Sequence, residues 1–214
     1  MKKKLLTLSA ILALTTGMAQ AQKKISFGAR GGVNFTNMTG KDGAGEKLDN
    51  KMKPGFHLGF NAELSLADQF YLQPGLLFTT KGSKFEKNEV SAKTSIAYME
   101  IPINFLYKPE LGSGKLLLGA GPYVAFGVGG KSKTNETSVS VKFKNKITPE
   151  DGAAFYLKGM DAGANFLVGY ELSSKISAQL NAQLGLTNIS PKTEGDNTSN
   201  TKNSGFGISL GYRF

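Results

Sequence analysis

The amino-acid sequence predicts an all-β fold: a closed, antiparallel, eight-stranded transmembrane β-barrel, an up-and-down meander. Three observations predict it. Eight segments alternate apolar and polar residues with the two-residue period of a strand. Their connections alternate between short turns and long polar loops, as in outer-membrane barrels. The chain also begins with an export leader.

The leader is Met1 to Ala21. Lys2, Lys3 and Lys4 form a basic start, Leu5 to Ala13 is apolar, and Ala19-Gln20-Ala21 is an A-x-A cleavage site. Residues 1–21 therefore read as a signal peptide and 22–214 as one barrel domain. The apolar run is too short for a membrane-spanning helix, and no other stretch approaches the required length of roughly 20 residues. A strand needs an apolar residue only at every second position.

Each spanning segment follows in order. Ile25–Thr36 puts Ile25, Phe27, Val33 and Phe35 on one wall and Arg30, Asn34 and Thr36 on the other. Pro54–Ser65 sets Phe56, Leu58, Phe60 and Leu64 against His57, Asn61 and Glu63. Phe70–Thr80 sets Phe70, Leu72, Leu76 and Phe78 against Tyr71, Gln73 and Thr79. Ser95–Tyr107 sets Met99, Ile101, Ile103 and Phe105 against Tyr98, Glu100 and Asn104.

Leu116–Val128 sets Leu116, Leu118, Val124 and Phe126 against Gly119, Gly121 and Tyr123. Met160–Glu171 sets Phe166, Val168 and Tyr170 against Asp161, Asn165 and Glu171. Ile176–Thr187 sets Ile176, Leu180 and Leu184 against Ser177, Gln179 and Gln183. In Ser204–Phe214, Phe206, Ile208, Leu210, Tyr212 and Phe214 oppose glycines, Ser209 and Arg213. Leu77, Leu106, Leu117 and Leu167 fall on the polar wall, where a small barrel fills its interior with side chains. Pro74, Pro102 and Pro122 predict bulges or local breaks.

Residues 66–69, 108–114 and 172–175 are short turns. Residues 37–53, 81–94, 129–159 and 188–203 are long loops. An even strand number places both termini on the short-turn, periplasmic side. Aromatic residues gather in two rings, Phe35, Phe56, Phe78, Phe126 and Phe206 near the long loops, and Phe27, Phe70, Tyr107, Tyr170, Tyr212 and Phe214 near the turns. Such girdles mark the two membrane interfaces. Val139-x-Val141-x-Phe143 within 129–159 predicts either a hairpin extending the wall or an open lysine-rich loop.

Tyr71-Leu72-Gln73-Pro74-Gly75-Leu76-Leu77-Phe78, then Lys81-Gly82 and Tyr98-Met99-Glu100-Ile101-Pro102-Ile103, resemble the PorT-like outer-membrane β-barrel proteins. Gly163, Gly169, Tyr170 and Glu171, and Gly185-Leu186-Thr187-Asn188-Ile189, extend the likeness over nearly all of the chain after the leader. Gly75 departs from it, standing where a carboxylate is common. The resemblance implies a bacterial outer-membrane barrel, some relatives being accessory factors in secretion. It also implies that Phe214 is an assembly signal read by the barrel-assembly machinery.

The candidate site is the lumen. Arg30 and Arg213, the two arginines, point inward on the first and last strands, as do Glu63, Glu100, Asp161 and Glu171. Buried charges need partners. The expectation is a network of Arg30 and Arg213 with Glu63, Glu100 and Glu171, forming a structural plug; the alternative is a narrow ion path.

Catalysis, cofactors and metals are not expected. His57 is the one histidine, no G-x-S-x-G elbow occurs, and cysteine is absent. Gly112-Ser113-Gly114-Lys115 lacks the spacing of a phosphate loop. Excluding three leader lysines leaves 23 basic residues against 16 acids, net +7. The long loops hold 16 lysines and 10 acids. This charge suits anionic lipids and lipopolysaccharide better than nucleic acid in an exported chain.

The sequence thus points to a monomeric envelope protein. It would be structural or interacting (adhesion, or secretion accessory) through its long loops, with lipid, lipopolysaccharide or an envelope protein as partner. The alternatives are a small pore and an exported soluble ligand-binding barrel, whose walls would be inverted.

Overall fold

The computed structural model describes residues 25–87, 90–135, 137–152, 154–193 and 198–214. The leader, 1–21, lies outside these residues. The strands are β1 (Ile25–Lys41), β2 (Lys51–Ala67), β3 (Phe70–Lys87), β4 (Val90–Tyr107), β5 (Glu110–Leu111), β6 (Gly114–Thr134), β7 (Thr137–Phe143), β8 (Phe155–Leu157), β9 (Met160–Glu171), β10 (Ile176–Gly185) and β11 (Asn200–Arg213).

Eight of them form a continuous antiparallel ring, β1-β2-β3-β4-β6-β9-β10-β11 and back to β1. The closing seam runs from Gly28↔Arg213 to Lys41↔Asn200. A ring leaves no edge strand, so each of these eight finds ladder partners on both sides, the condition for crossing hydrocarbon.

The walls face as the alternation predicts. Phe60, Leu118 and Leu184 are outside, with Phe60 66% and Leu184 51% exposed, while Arg30 is 6% exposed inside. This overturns the soluble alternative, which needs an apolar interior. Aromatic pairs lie along both belts. Phe35 meets Phe206 at 5.4 Å and Phe56 meets Phe78 at 5.9 Å near the long loops. Phe70 stacks on Tyr107 at 4.9 Å near the turns.

Leu77, Leu106, Leu117 and Leu167 are buried in the lumen. Gly119 makes room for them: a Cβ there would lie 2.4 Å from Leu106 and 2.9 Å from Leu167. Pro74 and Pro102 interrupt pairing without shifting it, since Pro74↔Ile103 and Leu77↔Glu100, and Pro102↔Tyr123 and Phe105↔Ala120, each keep one register. The register shifts lie between Met52 and His57, where Pro54 stands, between Ser65 and Ala67, and at Ala97/Tyr98.

The ladders run past the predicted strand ends at the long-loop side. β3 reaches Lys87 and β4 begins at Val90, so most of the expected loop 81–94 is strand. Apolar alternation stops where the wall leaves lipid, but backbone pairing continues because its hydrogen bonds need no greasy side chain. The 129–159 segment continues as a hairpin, with β7 antiparallel to β6 and β8 parallel to β7. Val141 and Leu157 turn inward and join Met38, Ile96, Tyr98, Tyr123, Ala125 and Ile189 in an apolar cap over the lumen.

Candidate functional site

Two ion-paired layers fill the lumen. The lower one lies near the short turns. Arg213 Nη2 donates to Glu63 Oε1 at 2.5 Å, and Arg213 Nη1 donates to Asn61 at 2.7 Å. Lys108 Nζ donates to Glu63 Oε2 at 2.9 Å and to Glu171 at 3.0 Å. Gln73 Nε2 donates to Glu63 at 3.0 Å and links this layer to Asn104 and Asn165 above.

The upper layer lies beneath the apolar cap. Lys81 Nζ is 2.8 Å from Glu100 Oε2 and 3.4 Å from Asp161 Oδ2, with all three residues at most 2% exposed. The Glu100 contact is an ion pair without good hydrogen-bond geometry, since that oxygen has no hydrogen-bond partner. Gln183 Nε2 bonds the other Glu100 oxygen at 2.6 Å. Asn203 Nδ2 donates to Asp161 Oδ2 at 3.0 Å, and Thr187 Oγ1 donates to Asp161 Oδ1 at 3.3 Å. The Lys81 ammonium also sits 4.2 Å from the centre of the Tyr123 ring, a cation–π contact.

The expected single network is therefore divided. Arg213 and Glu63 meet directly. Glu171 and Glu100 are each held by a lysine instead of an arginine. Arg30 joins neither layer: its Nε and Nη1 are buried without hydrogen-bond partners, and no described carboxylate lies within ion-pair distance. Its charge still counts. Arg30, Lys81, Lys108 and Arg213 balance Glu63, Glu100, Asp161 and Glu171 one for one, and Lys53, buried above them, is a fifth inward cation.

Lys81 and Lys108 are the residues that the sequence reading missed. A parity signal existed for both. Lys81 continues the inward series Gln73, Leu77 and Thr79, and Lys108 continues Glu100, Asn104 and Leu106. Both stand in segments that the alternation assigns to loop and turn, because the outward apolar signal ends before them.

Between the layers, His57 Nε2 lies 2.8 Å from Ser209 Oγ, and Asn181 Nδ2 donates to that same hydroxyl at 2.7 Å. The adjoining cavity, lined by Arg30, His57 and Glu100, measures about 40 Å³. That is room for about three waters, too little for a substrate of ordinary size. A second interior cavity, beside Arg30 and Glu171, measures about 10 Å³. Above the cap, a vestibule of about 500 Å³ opens among the long loops. Among the described residues, no group of three or more carboxylates and histidines could hold a metal ion.

A closed ring of strands with greasy outer walls and a charged, packed interior defines an outer-membrane barrel. The sequence matches the outer membrane protein beta-barrel domain family over residues 18–190, and the chain belongs to that family. No curated protein sequence matches it. Several solved structures resemble it at low identity, three of which follow. Ail, the attachment invasion locus protein of Yersinia pestis, was solved with the heparin analogue sucrose octasulfate. It is 12% identical over 89% of this chain and 99% of its own, with a TM-score of 0.45. Neisserial surface protein A is 10% identical over 89% and 99%, at 0.49. OprG from Pseudomonas aeruginosa is 13% identical over 91% and 98%, at 0.47. Family membership rests on the family match alone.

Proposed function

We propose that this barrel is a plugged envelope protein that works through its long-loop surface and conducts nothing through its lumen. The observation that carries the reading is the filling of the interior. Two ion-paired layers and an apolar cap leave described spaces of about 40 and 10 Å³. Hydrated ions need a continuous wet path.

In this reading, residues 1–21 are removed on export and the mature barrel is a monomer with both termini in the periplasm. The long loops then face outward, toward lipopolysaccharide and envelope partners. Phe214 serves recognition by the barrel-assembly machinery, and the chain sits among the PorT-like barrels, as the strand-three and strand-four motifs suggest. No reaction is assigned to it.

Planar-bilayer recording of the purified barrel tests the plug. The expected record lacks steady single-channel steps; reproducible steps would replace the plug with a pore. Exchanging the long loops for short turns tests the working surface. Partner or surface binding should disappear while the barrel still folds, and unchanged binding would remove the loops from the account.

A further inference from the structure

Above the lipid belt, the ring places lysines side by side on adjacent strands. Lys51 pairs with Lys84 across β2 and β3, Lys84 with Lys93 across β3 and β4, and Lys93 with Lys133 across β4 and β6. Lys131, opposite Ser95, lies two residues closer to the membrane.

These lysines point outward. Their sequence neighbours Ser83, Thr94 and Ser132 are buried inside, where Thr94 Oγ1 lies 3.0 Å from Ser132 Oγ. Directly opposed residues sit about 5 Å apart, and like charges so placed destabilise a sheet. Here three such pairs run in succession over roughly 15 Å of wall. Glu86 meets Lys51 at 2.9 Å. Among the described residues, no carboxylate lies within ion-pair distance of Lys84 or Lys93. Just inside, burial, then the Lys93 and Lys84 charges, hold the Lys53 ammonium below its usual pKa.

Protection of a free strand edge does not explain the row, because β3 and β4 are paired on both sides. Its position points to lipid. The row looks sideways from the outer wall and not upward from loop tips. Lys84 stands six residues beyond Phe78, roughly 15 Å above the aromatic belt for a tilted strand. Between them Thr80, Gly82, Ala97 and Ser95 are uncharged, and the long lysine stems can bend back toward the membrane.

We propose that this row binds the phosphate groups of phosphorylated glycolipid in the surrounding leaflet, with Lys84 and Lys93 at its centre. The proposal rests on the reading that the long loops face the cell exterior. A lysine near an anionic surface contributes about fivefold in affinity.

The test titrates the full barrel in neutral detergent with diphosphoryl lipid A and counts bound lipid by native mass spectrometry. Lys84→Gln/Lys93→Gln should bind on the order of twentyfold more weakly. Lys175→Gln, in a short turn, should match wild type, and lipid A stripped of phosphate should bind weakly to all three proteins. The double variant removes repulsion and should fold, as its strand-type circular dichroism would show. Equal binding by the double variant, or by phosphate-free lipid, overturns the proposal. So does a variant that loses only a soluble acidic polysaccharide, which would make the row an adhesion surface. Labelling of the long loops on intact cells reports separately on orientation, and a failure there leaves the micelle result standing.

Discussion

Lys108 Nζ lies 2.9 Å from Glu63 Oε2, although Lys108 follows β4 and Glu63 belongs to β2. The same ammonium reaches Glu171 on β9 at 3.0 Å. One lysine from a turn thus braces strands on opposite sides of the barrel and closes the lower lumen. Taking its charge out of water is costly, and the two carboxylates offset that cost.

Removing one member of such a cluster strands the others. Lys108→Met should lower stability by about 3–5 kcal/mol, because Glu63 keeps Arg213 but Glu171 loses its described partner. Lys108→Arg should recover most of the loss. Urea unfolding in lipid vesicles measures both, and a Lys108→Met barrel as stable as wild type would show that the brace is idle.

Orientation of the wall can be tested near its middle. Leu180 is 54% exposed and pairs with Ile208 and Val168 on the apolar face. Leu180→Arg should destabilise the barrel in a bilayer by about 2–4 kcal/mol. The measurement is folding free energy in vesicles, and a change near zero would mean that this position does not face hydrocarbon.

The 129–159 extension carries a pH-dependent tie. Lys144 donates to Asp151 Oδ1, and the Thr148 N–H donates to Asp151 Oδ2 at 2.9 Å. The Lys144 hydrogen bond first, and the Thr148 N–H second, hold the Asp151 carboxyl below the usual aspartate range. A lowered folded pKa means that the tie is fully present above the unfolded value. It is lost as pH falls through the folded one. Lys144 is half exposed, so the effect is local and weakened by salt. NMR titration of the Asp151 carboxyl should give a midpoint that rises in Lys144→Gln. Equal midpoints in the two proteins would mean that Lys144 does not hold it.

Much of the fold was legible because lipid imposes a rule on every second residue. Phe206, Ile208 and Leu210 announce their wall without help from the rest of the chain, and the parity of Glu63, Glu100 and Asp161 places them inside. Above the membrane that rule lapses. Thr94 and Ser132 pair as regularly as any buried residue, yet nothing in their polarity marks a strand. The lysine partners of the lumen were obscured for the same reason, since Lys81 and Lys108 stand just where the outward apolar signal stops.

The sequence alone determined the number of spanning strands and which wall of each meets lipid, because hydrocarbon tolerates neither unpaired backbone nor exposed charge. Tertiary structure decided which charges touch. Partners such as Lys108 and Glu171, or Lys81 and Asp161, lie 63 and 80 residues apart. Their meeting depends on ring closure and strand stagger, which no local pattern encodes. The same geometry left Arg30 without a described carboxylate in ion-pair distance and set four lysines shoulder to shoulder on the outer wall.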